Sequence, residues 1–290
     1  MDRYKKLIGL GIAGNFALHL DQAGEAEDFK DVVTKDENAP KGIFPFYLPK
    51  PQTHLSVVDL TVNKQLFVYP LSAHYIKRPA NKELNIQAEP EVVLVCKFDY
   101  SVGGKLKKIT PTHFAAYNDC SIRVKGAEKI SDKKNWGENS KGISDTLLEI
   151  DTFSKGGVMD NYSICSFLKR DGKVYAYGED AQLTGYSYFY EQLLDWLAEQ
   201  IDTQEDSGPL EPIEEYLIGC ELPKEALISI GATRYSEFGE STFLEVGDEF
   251  SVVVYDHTRY NLEDVKAEIS KEKVEHTHEG MSILVQKVID

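Results

Sequence analysis

Several acidic side chains of this sequence have the type and spacing that a hard divalent cation requires. Glu89 and Glu91 stand two residues apart at the start of the segment EVVLVCKFDY, and such side chains of an extended chain point to the same face. Adjacent carboxylates disfavour each other's ionisation unless a cation lies between them, and Mg²⁺, Mn²⁺ and Ca²⁺ prefer oxygen donors. Asp119, in the segment NDCSIR, offers a further oxygen ligand. Taken separately, these motifs are also typical of solvated strand ends and turns.

Candidate groups for substrate binding and proton transfer lie in other segments. Arg123 is a fixed cation that suits a carboxylate, and Lys141 is a second cation in the polar segment NSKG. His19 follows the glycine-rich segment GIAGN, and a neutral imidazole suits a general base. The alternatives are structural: a surface ion pair for Arg123, an exposed charge for Lys141, and a histidine satisfied by a backbone carbonyl. The His-Thr-His segment at 276–278 is interpreted as a solvated loop.

The elements that must position these residues are mostly strands. Strand-like segments lie at 5–12, 43–76, 91–100, 162–170, 173–177, 226–231, 250–255 and 282–288. The dipeptides Gly103-Gly104 and Asp171-Gly172 predict turns between strands. The pattern predicts an α+β, mainly β fold, because it lacks the regular βαβ alternation of a doubly wound sheet.

Few helices are predicted. Apolar residues at helical spacing between Tyr186 and Ile201 predict the clearest one, and shorter ones are expected near 15–23 and 262–271. Thr110 followed by proline is typical of a helix start. We therefore expect a helix immediately before the NDCSIR segment.

The charge balance limits the classes of partner. The 32 Lys+Arg residues against 48 Asp+Glu give a net charge of −16, which argues against nucleic acid and anionic membranes as partners. No apolar run reaches the ~18–20 residues of a membrane span. Any anionic ligand would need locally placed cations or a metal.

The N-terminal segment and the cysteines bear on the compartment. The apolar residues after Lys5 and Lys6 resemble the start of a signal peptide, but Asn15 and His19 interrupt them, so a buried strand is predicted. The four cysteines are scattered, without a C-x-x-C pair, and are expected to be reduced thiols. A cytoplasmic protein is therefore predicted.

The order of the motifs resembles the pattern of the fumarylacetoacetate hydrolase family. That pattern has an Asn-Tyr-x-x-His segment, a Glu-x-Glu strand, an Asp-x-(Ser/Thr)-x-Arg turn and a Lys. The corresponding segments here are GNFALH (14–19), EPE (89–91), DCSIR (119–123) and SKG (140–142). DGKV is similar to the family's Asn-Gly-Glu hairpin, and LEVGDE to its late Gly-Asp strand entry. The resemblance covers about residues 7–255.

The resemblance implies a mixed β-roll or sandwich with a few flanking helices. It implies one domain over 1–290, in which 256–290 is a C-terminal extension. Mg²⁺ or Mn²⁺ would be held by Glu89, Glu91 and Asp119. Such enzymes act on a small oxo-acid or 1,3-dicarbonyl through a metal-stabilised enolate, in C–C hydrolysis, decarboxylation, isomerisation or hydration.

The same resemblance assigns roles to the other candidates. Lys141 and Arg123 would hold the substrate's oxygens or carboxylate, Thr233 would offer it a hydroxyl, and His19 would activate water or move a proton. With a metal, these cations would make a local positive pocket in a strongly negative protein. The expected partners are a small anionic oxo-acid and a second copy of the chain in a homodimer.

The chain departs from the family pattern at several positions. Gln22 stands where a Glu often pairs with the histidine, and an amide supplies no negative charge. Asp21 or Glu25 would have to substitute, so weak hydrolase activity is expected, with isomerisation better preserved. The segment ending at Thr233 reads Gly-Ala-Thr where Gly-Thr-Pro is usual, and Phe16 replaces a Tyr.

Three interpretations therefore stay open. The chain is a metal-dependent enzyme acting on an oxo-acid, a divergent ligand-binding or regulatory protein that retains the fold, or an unrelated α+β protein. The complete acidic triad favours the first, because adjacent carboxylates that serve no function would only lower the stability of the fold.

Overall fold

The computed structural model describes residues 1–17, 19–24, 29–30, 32–51 and 63–290. The strands are β1 (Ile8–Ala13), β2 (Gly42–Tyr47), β3 (Leu71–Ser72), β4 (Tyr75–Lys77), β5 (Asn85–Gln87), β6 (Pro90–Tyr100), β7 (Leu106–Asn118), β8 (Ser121–Arg123), β9 (Lys141–Ile143), β10 (Leu148–Glu149), β11 (Tyr162–Arg170), β12 (Lys173–Gln182), β13 (Glu225–Ser229), β14 (Glu249–Asp256) and β15 (Met281–Ile289). The α-helices are α1 (His19–Gln22), α2 (Tyr190–Thr203), α3 (Ile213–Gly219), α4 (Glu237–Ser241) and α5 (Leu262–Ile269). Short 3₁₀ helices lie at Asp2–Lys6, Lys64–Phe67, Ile130–Lys133, Val158–Asn161 and Leu183–Gly185.

The larger sheet determines where the candidate residues meet. Its strand order is β2-β1-β13-β6-β7-β9-β3, with β10 also paired to β7. Strands β1 and β13 are parallel, whereas β6 is antiparallel to both β13 and β7. The carboxyl ends of β1, β13 and β7 and the amino end of β6 therefore lie at the same edge of the sheet.

The second sheet has the order β12-β11-β14-β15-β4. Its inner residues Ile164 and Val252 belong to one hydrophobic cluster with Val92 and Leu94 of the first sheet, so the core lies between the two sheets. Strands β5 and β8 form a separate pair. The mainly β fold predicted from the sequence is confirmed.

Most predicted elements are found, with boundaries shifted by a few residues. The turns at Gly103-Gly104 and Asp171-Gly172 join β6 to β7 and β11 to β12. Asp171 and Gly172 have φ of 51° and 75°, which a two-residue hairpin turn requires. Within the predicted strand 43–76, residues 52–62 lie outside the described residues, and Lys64–Phe67 is a 3₁₀ helix.

The helix predicted from Thr110 was wrong. Residues Leu106–Asn118 form β7, the longest strand of the larger sheet. Pro111 is tolerated there because the register between β6 and β7 shifts beside it, where the missing N–H does not break the regular ladder. The β-branched residues around it also favour a strand.

The N-terminal apolar segment and the cysteines agree with the interpretation from the sequence. Strand β1 is buried along its whole length, and all four cysteines are buried free thiols. None of the helices among the described residues combines the length and apolar character needed to cross a membrane.

Candidate metal centre and active site

The β6–β7 pair brings the acidic residues together. Pro90 pairs with Asn118, so Glu89 and Asp119 lie next to each other just beyond the pair. The backbone N–H of Asp119 donates to the carbonyl of Glu89 at 3.0 Å, and the Asn118 side-chain oxygen accepts from the Glu89 N–H at 3.0 Å. These two bonds fix the backbone on which the two carboxylates stand.

Glu89, Glu91 and Asp119 form a buried acidic triad. Each contributes a carboxylate oxygen to a group in which these atoms lie within 4.8 Å of one another. Their exposed fractions are 3%, 2% and 0%, respectively. The backbone N–H of Gly231 donates to Glu91 at 3.2 Å. Converging carboxylate oxygens are the donor set that Mg²⁺ or Mn²⁺ uses, so these residues fit the predicted metal.

Basic side chains surround two members of the triad. The ammonium of Lys134 lies 2.7 Å from Glu89 Oε2 and 2.6 Å from Asp119 Oδ2. Lys141 lies 3.2 Å from Asp119 Oδ1, and Arg123 lies 2.9 Å from Glu89 Oε1. Lys134 was not predicted from the sequence, because a lysine in the charged segment 124–140 carries no motif that distinguishes it from a surface residue.

The electrostatic environment differs among the three acids. Burial raises the pKa of Glu89, but the opposing charges of Lys134 and Arg123 hold that pKa below its usual range. The pKa of Glu91 is raised well above its ordinary value by burial and by the charge of Asp119. Burial also raises the pKa of Asp119, in opposition to Lys134 and Lys141. Glu91 is therefore the acid whose charge is least compensated in the protein alone.

Lys141 is more deeply buried than the sequence indicated. It is 0% exposed, and its ammonium donates to the backbone carbonyls of Asp119 and Cys120 as well as pairing with the Asp119 carboxylate. Burial lowers its pKa, opposed by Asp119. An ammonium has three N–H donors, and these three acceptors match them. In this arrangement Lys141 holds Asp119 and its turn in place.

Arg123 also engages protein groups within the site. Beyond Glu89, its Nε donates to the side-chain oxygen of Gln87 at 2.7 Å, and Nη2 donates to the Tyr235 hydroxyl at 3.1 Å. The side chain is 11% exposed. Arg123 therefore pairs with the carboxylate of Glu89 in this structure, and its binding of a substrate carboxylate stays a prediction.

His19 lies beside the triad and has a fixed tautomer. Its Nδ1 lies 2.9 Å from the backbone carbonyl of Thr233, which can only accept, so Nδ1 carries the hydrogen and donates. In the neutral ring Nε2 is then the nitrogen that carries the lone pair of a base. The backbone of Thr233 thus fixes the tautomer of His19, although Gln22 replaces the acidic partner of the family pattern.

Gln22 has a structural role in this arrangement. Its amide oxygen accepts from the Tyr235 N–H at 2.9 Å, and its amide nitrogen donates to the Tyr235 carbonyl at 3.2 Å. The amide thus fastens α1 to the segment after β13 with both its donor and its acceptor. Glu25 and the side chain of Asp21, the suggested substitutes for an acidic partner, lie outside the described residues.

Asn15 connects the two loops that carry His19 and Thr233. Its side-chain nitrogen donates to the carbonyls of Ile230 at 2.8 Å and Tyr188 at 3.0 Å. The sequence motif contains this asparagine, but its spacing gave no sign of this role. Thr233 itself is 1% exposed, and its hydroxyl donates to the carbonyl of Pro90 at 3.3 Å.

The space at the triad is small. A cavity of about 10 Å³ is lined by residues that include Gly14, His19, Glu89, Glu91 and Lys134. That volume suffices for about one water-sized group. An oxo-acid therefore needs a side chain that lines the cavity to move.

Comparisons with known proteins agree with this fold. A putative HpcE protein from Mycobacterium smegmatis has a TM-score of 0.52 and 14% identity, with 98% of this chain and 76% of that chain covered. A 2-keto-3-deoxy-D-arabinonate dehydratase, complexed with magnesium and 2,5-dioxopentanoate, has a TM-score of 0.50 and 13% identity, with 97% of this chain and 72% of that chain covered. Both are similar to this chain in fold. The resemblance to the fumarylacetoacetate hydrolase family is thus confirmed for the fold.

Sequence comparison assigns the chain to a family that is defined by a sequence model. No curated protein matches the chain significantly. Residues 25–288 match the model of a family of unknown function, DUF5718, which spans most of the chain. The chain therefore belongs to the family DUF5718 and has a fold of the fumarylacetoacetate hydrolase type.

Proposed function

We propose that this chain is a divalent-metal-dependent enzyme that acts on a small oxo-acid or 1,3-dicarbonyl. The reaction class is C–C hydrolysis, decarboxylation, isomerisation or hydration, and the metal is Mg²⁺ or Mn²⁺. The observation that carries the proposal is the convergence of Glu89, Glu91 and Asp119 within 4.8 Å at a buried sheet edge.

Burial supports a function for the triad. Carboxylates that are almost completely removed from water are costly unless they are paired or coordinate a metal. Glu89 and Asp119 have basic partners in Lys134, Arg123 and Lys141. For Glu91, burial and the charge of Asp119 both disfavour the ionised carboxylate and raise its pKa. A divalent cation held by all three acids would supply the nearby positive charge that favours the ionised form of Glu91.

The chain's own groups have distinct roles in this proposal. A bound Mg²⁺ or Mn²⁺ would polarise the substrate's oxo group and stabilise the negative charge of an enolate. His19 Nε2 is the base, held in orientation by the carbonyl of Thr233. Arg123 supplies a cation beside the triad for a substrate carboxylate, and Lys141 positions Asp119. The burial of the site limits competing reactions with water.

The substrate class is supported by the shape comparison. The dehydratase of similar fold is complexed with magnesium and 2,5-dioxopentanoate, an oxo-acid. Because the chain has a net charge of −16, it can bind such an anion only where cations lie close to the binding site. The basic residues at the triad are cations of this kind.

The alternative is a ligand-binding protein that retains the fold. It is favoured by the position of Lys134 between Glu89 and Asp119 and by the cavity of about 10 Å³. Such a protein would bind an oxo-acid with the metal and leave it unchanged.

Ligand binding and turnover together test the proposal. The wild type, Glu91→Gln and His19→Ala are compared in two experiments. Calorimetry measures the binding of oxalate and pyruvate with Mn²⁺ and in excess EDTA. Enzyme assays with Mn²⁺ measure the cleavage and the tautomerisation of acylpyruvates. We expect binding only with Mn²⁺, loss of binding in Glu91→Gln, and loss of turnover with retained binding in His19→Ala. General-base assistance of this kind is typically worth ~10²–10⁴-fold. Equal binding in EDTA would contradict the metal site, and metal-dependent binding without any turnover would favour the ligand-binding alternative.

A further inference from the structure

The ammonium of Lys134 lies where a cation would bridge the triad. It contacts an oxygen of Glu89 at 2.7 Å and an oxygen of Asp119 at 2.6 Å, and its side chain is 4% exposed. Asp119 and Glu89 are two of the three proposed metal ligands. Glu89 Oε2 and Asp119 Oδ2 cannot contact the Lys134 ammonium and coordinate a divalent ion at the same time.

The remaining oxygens of these two acids are also paired. Arg123 forms an ion pair with Glu89 Oε1, and Lys141 forms one with Asp119 Oδ1. Every carboxylate oxygen of Glu89 and Asp119 therefore has a basic partner. Of the three bases, Lys134 alone bridges both acids, so it is the partner whose removal frees an oxygen on each of them at once.

The backbone that carries Lys134 is fastened on both sides. Its N–H donates to the carbonyl of Ser131 at 3.0 Å, closing the 3₁₀ turn Ile130–Lys133. The next residue, Asn135, donates from its side chain to the carbonyls of Phe46 at 2.8 Å and Val68 at 3.0 Å. The segment is thus held while the long lysine side chain keeps its rotatable bonds. Displacement of the ammonium requires rotation of that side chain, not movement of the backbone.

We propose that Lys134 is a built-in competitor of the divalent cation: its ammonium holds Glu89 and Asp119 together until the metal displaces it, and it thereby sets the metal affinity of the site. This inference rests on the proposed metal site and adds a residue that controls its loading. Lys134 is a positioning residue in the metal-free protein, since it holds the buried carboxylates of Glu89 and Asp119 beside each other.

Metal affinity and metal-free stability measured together test this inference. Mn²⁺ binding is measured by calorimetry, and the melting midpoint is measured in EDTA and in Mn²⁺, for the wild type, Lys134→Met and Lys134→Gln. Lys125→Met is the matched control, because Lys125 is an exposed lysine of the same loop and the change in net charge is identical. Close charge pairs couple strongly, so both Lys134 variants should bind Mn²⁺ about tenfold more tightly or better. They should melt below the wild type in EDTA and regain that loss in Mn²⁺.

Each outcome decides between the possibilities. Lys134→Met removes the basic partner of one oxygen on each of two buried carboxylates, and if the variant folds only with Mn²⁺ present, that dependence itself supports displacement. Lys134→Gln keeps a hydrogen-bond donor and tests the folded protein. Unchanged or weaker Mn²⁺ binding in a folded Lys134 variant, with normal binding in the wild type, would overturn the competition alone. No Mn²⁺ binding in any of the proteins would overturn both the competition and the proposed metal-dependent function.

Discussion

Two groups of carboxylates in this protein differ in what surrounds them. The acidic rim, formed by Asp202, Glu205, Asp206, Glu214 and Glu215, lines a cavity of about 510 Å³. It exceeds the triad in number of acids and in cavity volume. Its carboxylates nevertheless face water, with 56% of the Asp202 side chain and 61% of the Asp206 side chain exposed.

The comparison shows why burial, and not the number of acids, distinguishes the candidate site from the acidic rim. Lys105 pairs with Asp202 at 2.6 Å and Glu214 at 2.7 Å, but such exposed pairs contribute about 0–1 kcal/mol. Lys141 pairs with Asp119 where both are 0% exposed. Charges in that environment are costly, so their arrangement has to be specified by the surrounding structure.

The largest expected effect contrasts the lysines of the two groups. Lys141→Met removes the ammonium that Asp119 Oδ1 and two buried backbone carbonyls share, and should lower the free energy of unfolding by about 3–5 kcal/mol. Lys105→Met removes only exposed pairs and should lower it by about 1 kcal/mol or less. Chemical denaturation of both variants measures the difference. Equal losses would show that burial does not separate the two groups.

Glu211 lies next to the rim in sequence but is buried like the triad. It is 3% exposed, and burial raises its pKa from 4.5 to about 7, opposed by the hydrogen bond from Ser131. The folded protein therefore holds this proton more tightly than the unfolded chain, so the contribution of Glu211 to stability falls as pH rises from about 4.5 to 7.

Glu211→Gln should remove that pH dependence. The amide oxygen can still accept from Ser131, so the variant should gain stability over the wild type as pH rises, by up to about 3 kcal/mol above pH ~7. Urea unfolding at several pH values gives the difference between the two proteins. A difference that is constant with pH would contradict the raised pKa.

Metal stabilisation should depend on the triad and not on the rim. An ion at about 100 times its dissociation constant adds about 2.7 kcal/mol if it ignores the unfolded chain, so millimolar Mn²⁺ should raise the melting midpoint by several degrees. Glu91→Gln should abolish the rise, because Glu91 is a proposed ligand outside the ion pairs that hold Glu89 and Asp119. Glu214→Gln, in the rim, should respond as the wild type does. A rise that survives in Glu91→Gln but not in Glu214→Gln would assign the metal to the rim.

A smaller effect is expected at Gln22. Gln22→Glu replaces the amide donor facing the Tyr235 carbonyl at 3.2 Å with an acceptor, and should cost about 1–3 kcal/mol. Gln182→Glu, at an exposed position, is the control and should change the melting midpoint little. The sequence predicts that Gln22→Glu raises acylpyruvate hydrolysis, whereas the hydrogen bonds of Gln22 predict mainly a loss of stability. A more active variant of unchanged stability would favour the sequence prediction.

Local spacing predicted the Glu89–Glu91 pair and the family resemblance added Asp119, but neither predicted Lys134 as their partner. Glu89 and Glu91 face the same way because alternation along a strand is a local property. The helix prediction at Thr110 was wrong because pairing with β6 outweighs the local helix-start signal. The same pairing places Asp119 beside Glu89. Lys134 comes from a loop whose path depends on long-range contacts such as those of Asn135, and these leave no local pattern.

The position of a bound ion tests the central claim most directly. A crystal structure with Mn²⁺ and its anomalous signal should place one ion on an oxygen from each of Glu89, Glu91 and Asp119, with the Lys134 ammonium moved away. A structure at millimolar Mn²⁺ in which Lys134 still bridges Glu89 and Asp119, and in which no ion lies on the triad, would contradict the account.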